Sequence, residues 1–402
     1  MKRPDDALHV LALNSGSSSL KFGVYEVSAS RTETLLSGSA EAIGDKQGRF
    51  HAEDAQGRVL ASEAAAIPGH GEAIERIGRL LDAARLLDGT KLPAPVVIGH
   101  RIVHGGPELR KHCVIDGAVL RQLEAAAVFA PLHTPPALSV IRFAQAHFPG
   151  LAQVACFDTS FHAGLPDVAR VLPVSRALRA QGIERYGFHG LSCESILHHL
   201  GDDPPERLII AHLGNGASIT AVRSGRSVDT SMGLTPTGGV IMGTRCGDLD
   251  PGVLIYLIRE KQFDAAMLED LVDHHSGMSG ISGLGSDMRR LREAAPSNED
   301  ARLAIEMFCY SVRKQIAAMI AALDGVDRIV FTGGIGEHDW QARAAICDGL
   351  SWIGVELDAA RNQERHNPIS AVASRCVVEV LGSEEDAQIA RHAWALCPSR
   401  QA

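Results

Sequence analysis

The sequence predicts an α/β protein built from two related lobes. Segments typical of strands and helices alternate along the chain, and 402 residues is long for a single hydrophobic core. A strand, a glycine- and serine-rich turn and a second strand occupy residues 9–24, and the pattern recurs at 208–222. Leu13, Gly16 and Ser18 match identical residues at an offset of 200 positions. Gene duplication explains the repeat, and chance is the alternative because strand–glycine–strand patterns are common.

The composition favours some classes of protein over others. A content of 45% hydrophobic and 22% charged residues is ordinary for a soluble globular protein. The net charge of −9 argues against a nucleic-acid partner, which would require a basic excess or patch. The eight cysteines lack C-x-x-C or metal-ligand spacing, which indicates reduced thiols. Since the sequence also lacks the features of a signal peptide and of a membrane span, we expect a cytoplasmic protein that binds neither nucleic acid nor membrane.

The first predicted element is a hairpin. Residues 9–13 form an apolar strand, residues 14–19 a small polar turn, and residues 20–24 an alternating strand. The turn offers backbone N–H groups, serine hydroxyls and the following Lys21, which together can cradle a phosphate. An ordinary hydrophilic hairpin turn is the alternative interpretation.

Charged residues follow the next predicted strands. Apolar spacing predicts a helix over 70–87. A strand at 96–98 leads to Arg101 among glycines, and a strand at 153–157 ends at Asp158. Ligands of open α/β folds bind at such strand ends, and a carboxylate there can serve as base, acid or metal ligand. His133 lies in a turn at 130–136, and we interpret it, taken alone, as structural.

The second half repeats this organisation. Strands at 208–213 and 219–222 form the second hairpin. A helix over 301–323, a strand at 328–331 and a glycine turn at 332–337 make an arrangement that suits a nucleotide, although one glycine motif is weak support.

The last strand, 377–381, precedes an acidic run at 383–386. The acidic residues of this run fit ordinary helix capping as well as a ligand role.

The central stretch, 226–252, is rich in Gly, Thr, Ser and Asp and carries Arg245. A guanidinium among glycines can hold an anionic group with its planar fork of donors. A solvated surface loop is the alternative, disfavoured because long loops inside compact domains usually serve a site. Residues 277–287 are predicted as a further glycine-rich loop.

Ten short blocks occur in one order along the chain. They are LNSGSSSLKF (13–22), GHRIVHGG (99–106), APLH (130–133), FDTSFH (157–162), YGFHG (186–190), HLGNGASI (212–219), DTSMGLTP (229–236), MGTRCGDLDPG (242–252), GGIGE (333–337) and SEED (383–386). In these blocks, over nearly its whole length, the chain resembles the acetate/propionate kinase family. Thr134, Cys193, His338 and Ser383 depart from the usual family pattern, where Asn, His, Asn and Asn respectively are common. The departures put substrate and nucleotide preference in doubt.

The resemblance implies a fold and a division into domains. The fold is the actin-like ATPase fold, with two duplicated ribonuclease-H-like lobes and the active site in the interdomain cleft. Residues 1–152, joined by a C-terminal helix over 386–402, are expected to form the N-terminal lobe. Residues 153–385 are expected to form the nucleotide-binding lobe. The family is typically dimeric, so we expect a homodimer.

The resemblance also implies a role for each matched residue. The catalytic residues are Asp158, His189, Arg245 and Arg101. The carboxylate substrate is bound by Arg101, Val103, Leu132 and Pro236. The nucleotide is bound by Ser17, Ser19, Lys21, His212, Leu213, Gly214, Asn215, Gly216, Asp287, Met288, Arg289, Gly334, Ile335, Gly336, Glu337 and His338. Asn14 and Glu384 are the residues linked to Mg²⁺, with Mn²⁺ as an alternative ion.

The implied reaction is reversible transfer of the ATP γ-phosphoryl group to acetate. In-line transfer depends on positioning and charge neutralisation, and an ionised carboxylate needs no general base, so we expect Asp158 to orient an arginine or a magnesium-bound water. Propionate or butyrate is the alternative acceptor, because one methylene changes binding by only about 1–3 kcal/mol. An actin- or Hsp70-like nucleotide-binding protein and an inactive homologue are the alternatives outside this activity.

Overall fold

The computed structural model describes residues 7–16, 18–86 and 92–401. The chain divides into two compact units, which we call the first unit (Met1–Ser160 with Glu384–Ala402) and the second unit (Phe161–Ser383).

Thirteen strands and sixteen α-helices form the described chain. The strands are β1 (Leu8–Ser15), β2 (Ser19–Val27), β3 (Thr32–Glu41), β4 (Arg49–Asp54), β5 (Val59–Ala64), β6 (Val97–Ile102), β7 (Cys113–Val114), β8 (Ala152–Phe157), β9 (Arg207–Leu213), β10 (Ala217–Arg223), β11 (Arg226–Thr230), β12 (Arg328–Thr332) and β13 (Val377–Val380). The helices are α1 (His70–Leu86), α2 (Gly117–Ala126), α3 (Thr134–His147), α4 (Asp167–Arg170), α5 (Arg176–Arg179), α6 (Gly190–Leu200), α7 (Pro251–Lys261), α8 (Ala265–His274), α9 (Gly277–Ser282), α10 (Met288–Ala294), α11 (Glu299–Leu323), α12 (Gly333–His338), α13 (Trp340–Asp348), α14 (Ala359–Glu364), α15 (Glu385–Leu396) and α16 (Pro398–Gln401). Three short 3₁₀ helices lie at Ala127–Phe129, Ser160–His162 and Ser351–Ile353.

The first unit contains a sheet with the strand order β5-β4-β3-β2-β1-β6-β8-β7. Strands β1 to β5 are antiparallel neighbours, and β6 and β8 run parallel to β1. The predicted hairpin is confirmed: β1 and β2 pair with Asn14 opposite Lys21. The pairing places both side chains next to the turn.

The second unit contains a sheet with the order β11-β10-β9-β12-β13. Strands β9, β10 and β11 are antiparallel, and β12 and β13 run parallel to β9. The same order, three antiparallel strands and then two parallel ones, is found in β3-β2-β1-β6-β8 of the first unit. The β9–β10 hairpin therefore corresponds to the β1–β2 hairpin, and the duplicated ribonuclease-H-like fold is confirmed.

Helices cover the sheet of the first unit. Residues of α1, such as Ile77, and of α3, such as Val140, share a buried core with Leu11 and Phe22 of the strands. Helix α15 packs against β1, β2, β6 and β8. Strand β6 carries Gly99 at this contact because a Cβ there would lie 2.6 Å from Cγ2 of Ile389.

The boundary between the units differs from the one we predict. We expect the second lobe to begin at residue 153, but that boundary would cut through β8, which pairs with β6 over its whole length. The structure divides the chain after Ser160, once β8 is complete. The apolar run 153–157 thus completes the first sheet and does not begin the second unit.

Two segments predicted as loops contain regular structure. Residues 226–230 form β11, since they extend the sheet by pairing with β10. Residues 277–282 form α9, and Gly277 has a positive φ of 59° where a Cβ would lie 2.4 Å from the carbonyl oxygen of Met242. Glycine there permits close backbone approach. In the described parts of the chain, no helix is long and apolar enough to cross a membrane.

Candidate functional site

Arg101, Asp158 and Asn14 form a hydrogen-bonded cluster in the first unit. Arg101 lies near the end of β6, and Asp158 directly follows β8. Arg101 donates from Nε and Nη2 to Oδ2 of Asp158 at 3.0 and 2.7 Å, and from Nη1 to Oδ1 of Asn14 at 3.2 Å. Burial lowers the pKa of Arg101, but the charges of Asp158 and Glu385 outweigh it and raise that pKa above its ordinary value. Arg101 therefore keeps its positive charge at every physiological pH.

Two carboxylates at the start of α15 complete this cluster. Nδ2 of Asn14 donates to Oδ1 of Asp386 at 2.7 Å and approaches Oε2 of Glu385 at 3.5 Å. Burial raises the pKa of Asp386, and the charge of Glu385 raises it further. Repulsion between two neighbouring half-buried carboxylates favours a bound cation. Glu384, predicted for the metal, is the N-cap residue of α15, directly before the two carboxylates that contact Asn14.

Ser19 and Lys21, which we predict to bind nucleotide, lie in strand β2 next to the β1–β2 turn. Gly16 donates its N–H to the carbonyl oxygen of Ser19 at 2.8 Å, which closes the turn. The Lys21 side chain is exposed, and its charge lowers the pKa of Asp386. Ser17 lies outside the described residues.

The rings of His189 and His212 stack on each other in the second unit. His189 is the N-cap residue of α6 and has a left-handed backbone with φ of 57°. Its Nδ1 is hydrogen-bonded to Oγ of Ser218 at 3.0 Å, and its ring stacks on the ring of His212 with centroids 4.1 Å apart. A left-handed histidine costs backbone strain, which is commonly found at functional sites.

Arg245 points toward the same turn as His189. Its Nη1 donates to the carbonyl oxygen of Pro236 at 2.6 Å. A Cβ placed on Gly216 would lie 3.1 Å from Nη2 of Arg245 and 3.3 Å from Nε2 of His189. The missing side chain of Gly216 thus leaves room for a guanidinium and an imidazole beside one turn, a pair that suits an anion.

The loop that carries Arg245 is well packed. Met232, Val240 and Met242 are at most 1% exposed, so the solvated-loop interpretation is wrong. Helix α9 fixes the loop from one side: Met278 donates its N–H to the carbonyl oxygen of Met242 at 2.9 Å. The backbone of Arg245 is therefore held in place.

A cavity of about 670 Å³ lies in the second unit. Eight residues predicted to bind nucleotide line it: Gly214, Asn215, Asp287, Met288, Arg289, Gly334, Ile335 and His338. Five further lining residues carried no sequence signal that we used: Ser286, Arg292, Asp339, Trp340 and Gln341. Arg292 donates to both carboxylate oxygens of Asp339 at 2.8 Å, which stiffens one wall. The volume and mixed lining suit a small organic ligand.

Four other predicted nucleotide residues of the second unit are not among the residues that line the cavity: Leu213, Gly216, Gly336 and Glu337. Leu213 and Gly216 flank the turn after β9, and Glu337 accepts the N–H of Gly333 through Oε1 at 3.1 Å. The carbonyl oxygens of Gly336 and Glu337 accept from Nη1 of the buried Arg343 at 2.8 and 3.0 Å. These contacts fix α12 at the edge of the cavity.

The residues predicted to bind the acyl group belong to different units. Val103 is buried directly after β6, and Leu132 is half-buried in the turn before α3. Pro236 is half-buried in the second unit, where its carbonyl oxygen holds Arg245. Their role in binding an acyl group stays a prediction.

Four residues of these clusters were not predicted from the sequence: Glu385, Asp386, Ser192 and Ser218. The acidic run after β13 could have indicated the first two, because three consecutive acidic residues at a helix start exceed what capping requires. The serines carried no distinguishing signal, since serine is ordinary in a turn or in the first turn of a helix.

The chain is similar to known kinases over nearly its full length. Residues 9–391 match the Acetokinase family. An acetate kinase from Methylocella silvestris is 41% identical, with the match covering 96% of this chain and 97% of that protein. The crystal structure of a propionate kinase from Francisella tularensis has a TM-score of 0.89 and 34% identity, covering 97% of this chain and 100% of that chain. An acetate kinase from Porphyromonas gingivalis has a TM-score of 0.84 and 33% identity, covering 97% and 99%.

Proposed function

Because the chain belongs to the Acetokinase family, we propose that it transfers the γ-phosphoryl group of ATP to acetate and releases acetyl phosphate and ADP. An acetate carboxylate oxygen forms the new bond to γ-phosphorus, and the bond from γ-phosphorus to the β,γ-bridging oxygen breaks. The reverse reaction uses the same bonds. The convergence of Arg245 and His189 on Gly216 carries this proposal, because it offers two donors to a phosphoryl group.

The proposed mechanism depends on cationic side chains that hydrogen bonds keep in fixed positions. Arg101 would bind the carboxylate or phosphoryl oxygens while Asp158 fixes its guanidinium plane. Arg245, held by the carbonyl oxygen of Pro236, and His189, held by Ser218, would neutralise charge on the moving phosphoryl group. Acetate is ionised at neutral pH, so the mechanism includes no general base. Asp158 therefore orients Arg101 and takes no proton.

Magnesium fits the acidic cluster of the first unit. Glu385 and Asp386 offer carboxylate oxygen atoms, the ligands that this ion prefers, and Asn14 holds both carboxylates through its Nδ2. The raised pKa of the half-buried Asp386 indicates a carboxylate that gains from a nearby cation. We propose that these residues hold the ion, directly or through water, with Glu384 at the edge of the site and Mn²⁺ as an alternative ion. When bound, the ion would neutralise phosphate charge.

ATP and ADP are proposed to occupy the cavity lined by Gly214, Gly334 and Trp340. Glycines at Gly214 and Gly334 expose backbone on which a base or phosphate can lie closely. Trp340, 39% exposed, offers an aromatic surface to the adenine. Arg289 and Arg292 also line the wall, where they pair with the carboxylates of Asp287 and Asp339 respectively.

The substrate assignment is tested with a series of acids. Purified protein is incubated with ATP, Mg²⁺ and hydroxylamine, which converts an acyl phosphate to a coloured hydroxamate, and with acetate, propionate or butyrate in turn. We expect the highest kcat/KM with acetate, at least about tenfold above butyrate. Higher kcat/KM with propionate would favour the alternative suggested by the similarity to a propionate kinase.

A homodimer is part of the proposal, and α7 supports it. Residues 253–258 of this helix are six consecutive apolar residues, and Ile255, Tyr256 and Ile258 are each about half exposed. An apolar patch of this kind is typical of an interface between subunits. Ile255→Glu should shift the protein from dimer to monomer in analytical ultracentrifugation, whereas Val372→Glu, at an exposed residue elsewhere, should not. A wild-type monomer would refute the dimer.

We also propose that the reaction takes place in the cytoplasm. The cysteine spacing supports this location because it favours reduced thiols.

A further inference from the structure

Ser383 connects helix α12, which lines the proposed nucleotide cavity, to the hydroxyl of Ser192. It lies between β13 and α15, where the family resemblance would place asparagine. Its N–H donates to Oε1 of Glu337 at 3.1 Å, the same oxygen that accepts from Gly333. Its hydroxyl donates to Oγ of Ser192 on α6 at 3.0 Å. Ser383 therefore links α12 to α6 through two hydrogen bonds.

Ser192 in turn forms a hydrogen bond with His212. Ser192 is fully buried, and its Oγ lies 2.8 Å from Nδ1 of His212. A serine hydroxyl has one proton and two lone pairs, so Oγ of Ser192 can accept from Ser383 and donate its own proton to Nδ1. Nδ1 is then an acceptor, and His212 is the neutral tautomer with its proton on Nε2. That nitrogen faces the cavity-lining Gly214, whose ideal Cβ position is 3.9 Å away.

The orientation of His212 also supports His189. The two rings stack at 4.1 Å with an interplanar angle of 21°. A neutral ring at this distance permits a positive charge on His189 during phosphoryl transfer, whereas two charged rings would repel each other. Ser218 holds the His189 ring through Nδ1. This hydrogen bond and the stacked ring of His212, which Ser192 holds, thus fix the plane and position of His189.

We propose that Ser192 and Ser383 are positioning residues for phosphoryl transfer: Ser383 orders the Ser192 hydroxyl, Ser192 holds His212 as the Nε2–H tautomer, and His212 supports the ring of His189. This inference rests on the proposed function, in which His189 contacts the transferred group. It assigns a role to two serines that contact no reacting atom.

The first test reads the tautomer directly. Long-range ¹H–¹⁵N spectra of the full-length protein with ¹⁵N-labelled histidine distinguish a protonated ring nitrogen from an acceptor nitrogen. We expect acceptor Nδ1 and protonated Nε2 for His212 in the wild type, and a changed Nδ1 signal in Ser192→Ala. A proton on Nδ1 in the wild type, or an unchanged signal in Ser192→Ala, would overturn the proposal.

The second test separates positioning from stability. Ser192→Ala and Ser383→Ala should lower kcat about 10- to 100-fold, because a displaced group costs rate even when binding persists. KM for acetate should stay within about twofold. Ser383→Thr, which keeps the hydroxyl, should restore most of kcat. Ser374→Ala removes a hydroxyl of the second unit that bonds to Gly354 and Cys376 carbonyl oxygens, and should leave kcat unchanged.

The outcomes distinguish this proposal from the proposed function. Equal kcat in wild type and Ser383→Ala, or no recovery in Ser383→Thr, would overturn the positioning role while leaving the kinase activity in place. Wild-type protein that forms no hydroxamate would refute the proposed function, and the histidine spectra would still decide the hydrogen-bond chain.

Discussion

Asp158 accepts two hydrogen bonds from Arg101 on a single carboxylate oxygen, at 3.0 and 2.7 Å. The Asp158 side chain is 1% exposed and that of Arg101 is 20% exposed. Oδ1 of Asn14 accepts a hydrogen bond from Nη1 of Arg101. Hydrogen bonds therefore fix two edges of the planar guanidinium group. A carboxylate engaged in this way orients a cation, which agrees with our expectation that Asp158 does not act as a base.

Asp158→Asn should therefore weaken substrate binding and turnover together. Loss of the charge removes the charge-assisted part of both hydrogen bonds, at a cost of about 2 kcal/mol in stability. We expect kcat/KM for acetate to fall about 100-fold, while Asp158→Glu retains the charge and loses less. Initial rates at varied acetate concentration measure this. A pH–rate profile in which Asp158→Asn merely loses one ionisation, with no change in KM, would indicate a base instead.

Gly216→Ala should lower the rate by crowding Arg245 and His189, which we propose to contact the phosphoryl group. The new Cβ would lie 3.1 Å from Nη2 of Arg245 and 3.3 Å from Nε2 of His189, so both groups must move by some tenths of an ångström. We expect kcat to fall about tenfold or more, measured by hydroxamate formation at saturating substrates.

Gly164→Ala is the matched control for this substitution. A Cβ on Gly164 would have no neighbour within 4 Å, so its kcat should equal that of the wild type. A normal kcat in Gly216→Ala would contradict the placement of Arg245 and His189 at the site.

Trp340 should report nucleotide binding through its fluorescence. It lines the 670 Å³ cavity and is one of three tryptophans in the chain. Addition of ADP should change the emission of wild-type protein, and Trp340→Phe should lose that change. Trp352→Phe, at a tryptophan that is 73% exposed, should retain it. A signal that persists in Trp340→Phe would place the nucleotide elsewhere.

Two buried histidines should make stability depend on pH. Burial lowers the pKa of His162 and of His100 to about 4, below the ordinary value of 6.5. Between these values the unfolded chain binds protons that the folded chain does not, so the free energy of unfolding falls as pH falls from about 6.5 to 4. Each histidine contributes a slope of up to about 1.4 kcal/mol per pH unit.

Urea unfolding at pH 7, 6 and 5 measures this slope. His162→Gln should reduce it, whatever its effect on stability at pH 7. An identical pH dependence in the variant and the wild type would show that His162 titrates normally in the folded protein.

Much of the fold could be predicted from short apolar runs in the sequence and from their spacing. The hairpin at β1–β2 and the helix at α11 were predictable because each depends on local sequence. The duplication was also predictable, since the match of Leu13 with Leu213 reflects equivalent hairpins in two sheets of the same order. The position of β8 in the first sheet was harder to predict from the sequence, because tertiary pairing, and not the strand's own residues, determines the neighbours of a strand.

The candidate site was predictable only in part. Glycines and charged residues at strand ends indicated Arg101, Asp158 and Gly334, which lie at such ends in the structure. The contacts of Asn14 with Glu385 and Asp386 join residues separated by more than 370 positions, which no local pattern can show. The link from Ser383 through Ser192 to His212 likewise depends on tertiary packing.

The most direct test of the central claim is hydroxamate formation from ATP, Mg²⁺ and acetate by wild-type protein and by Arg245→Ala. We predict turnover by the wild type and a loss of at least about 100-fold in the variant, because in the proposed mechanism Arg245 neutralises charge on the transferred group. The variant should still bind ADP in the cavity. Wild-type protein that binds ADP but forms no hydroxamate, or full activity in Arg245→Ala, would contradict the account.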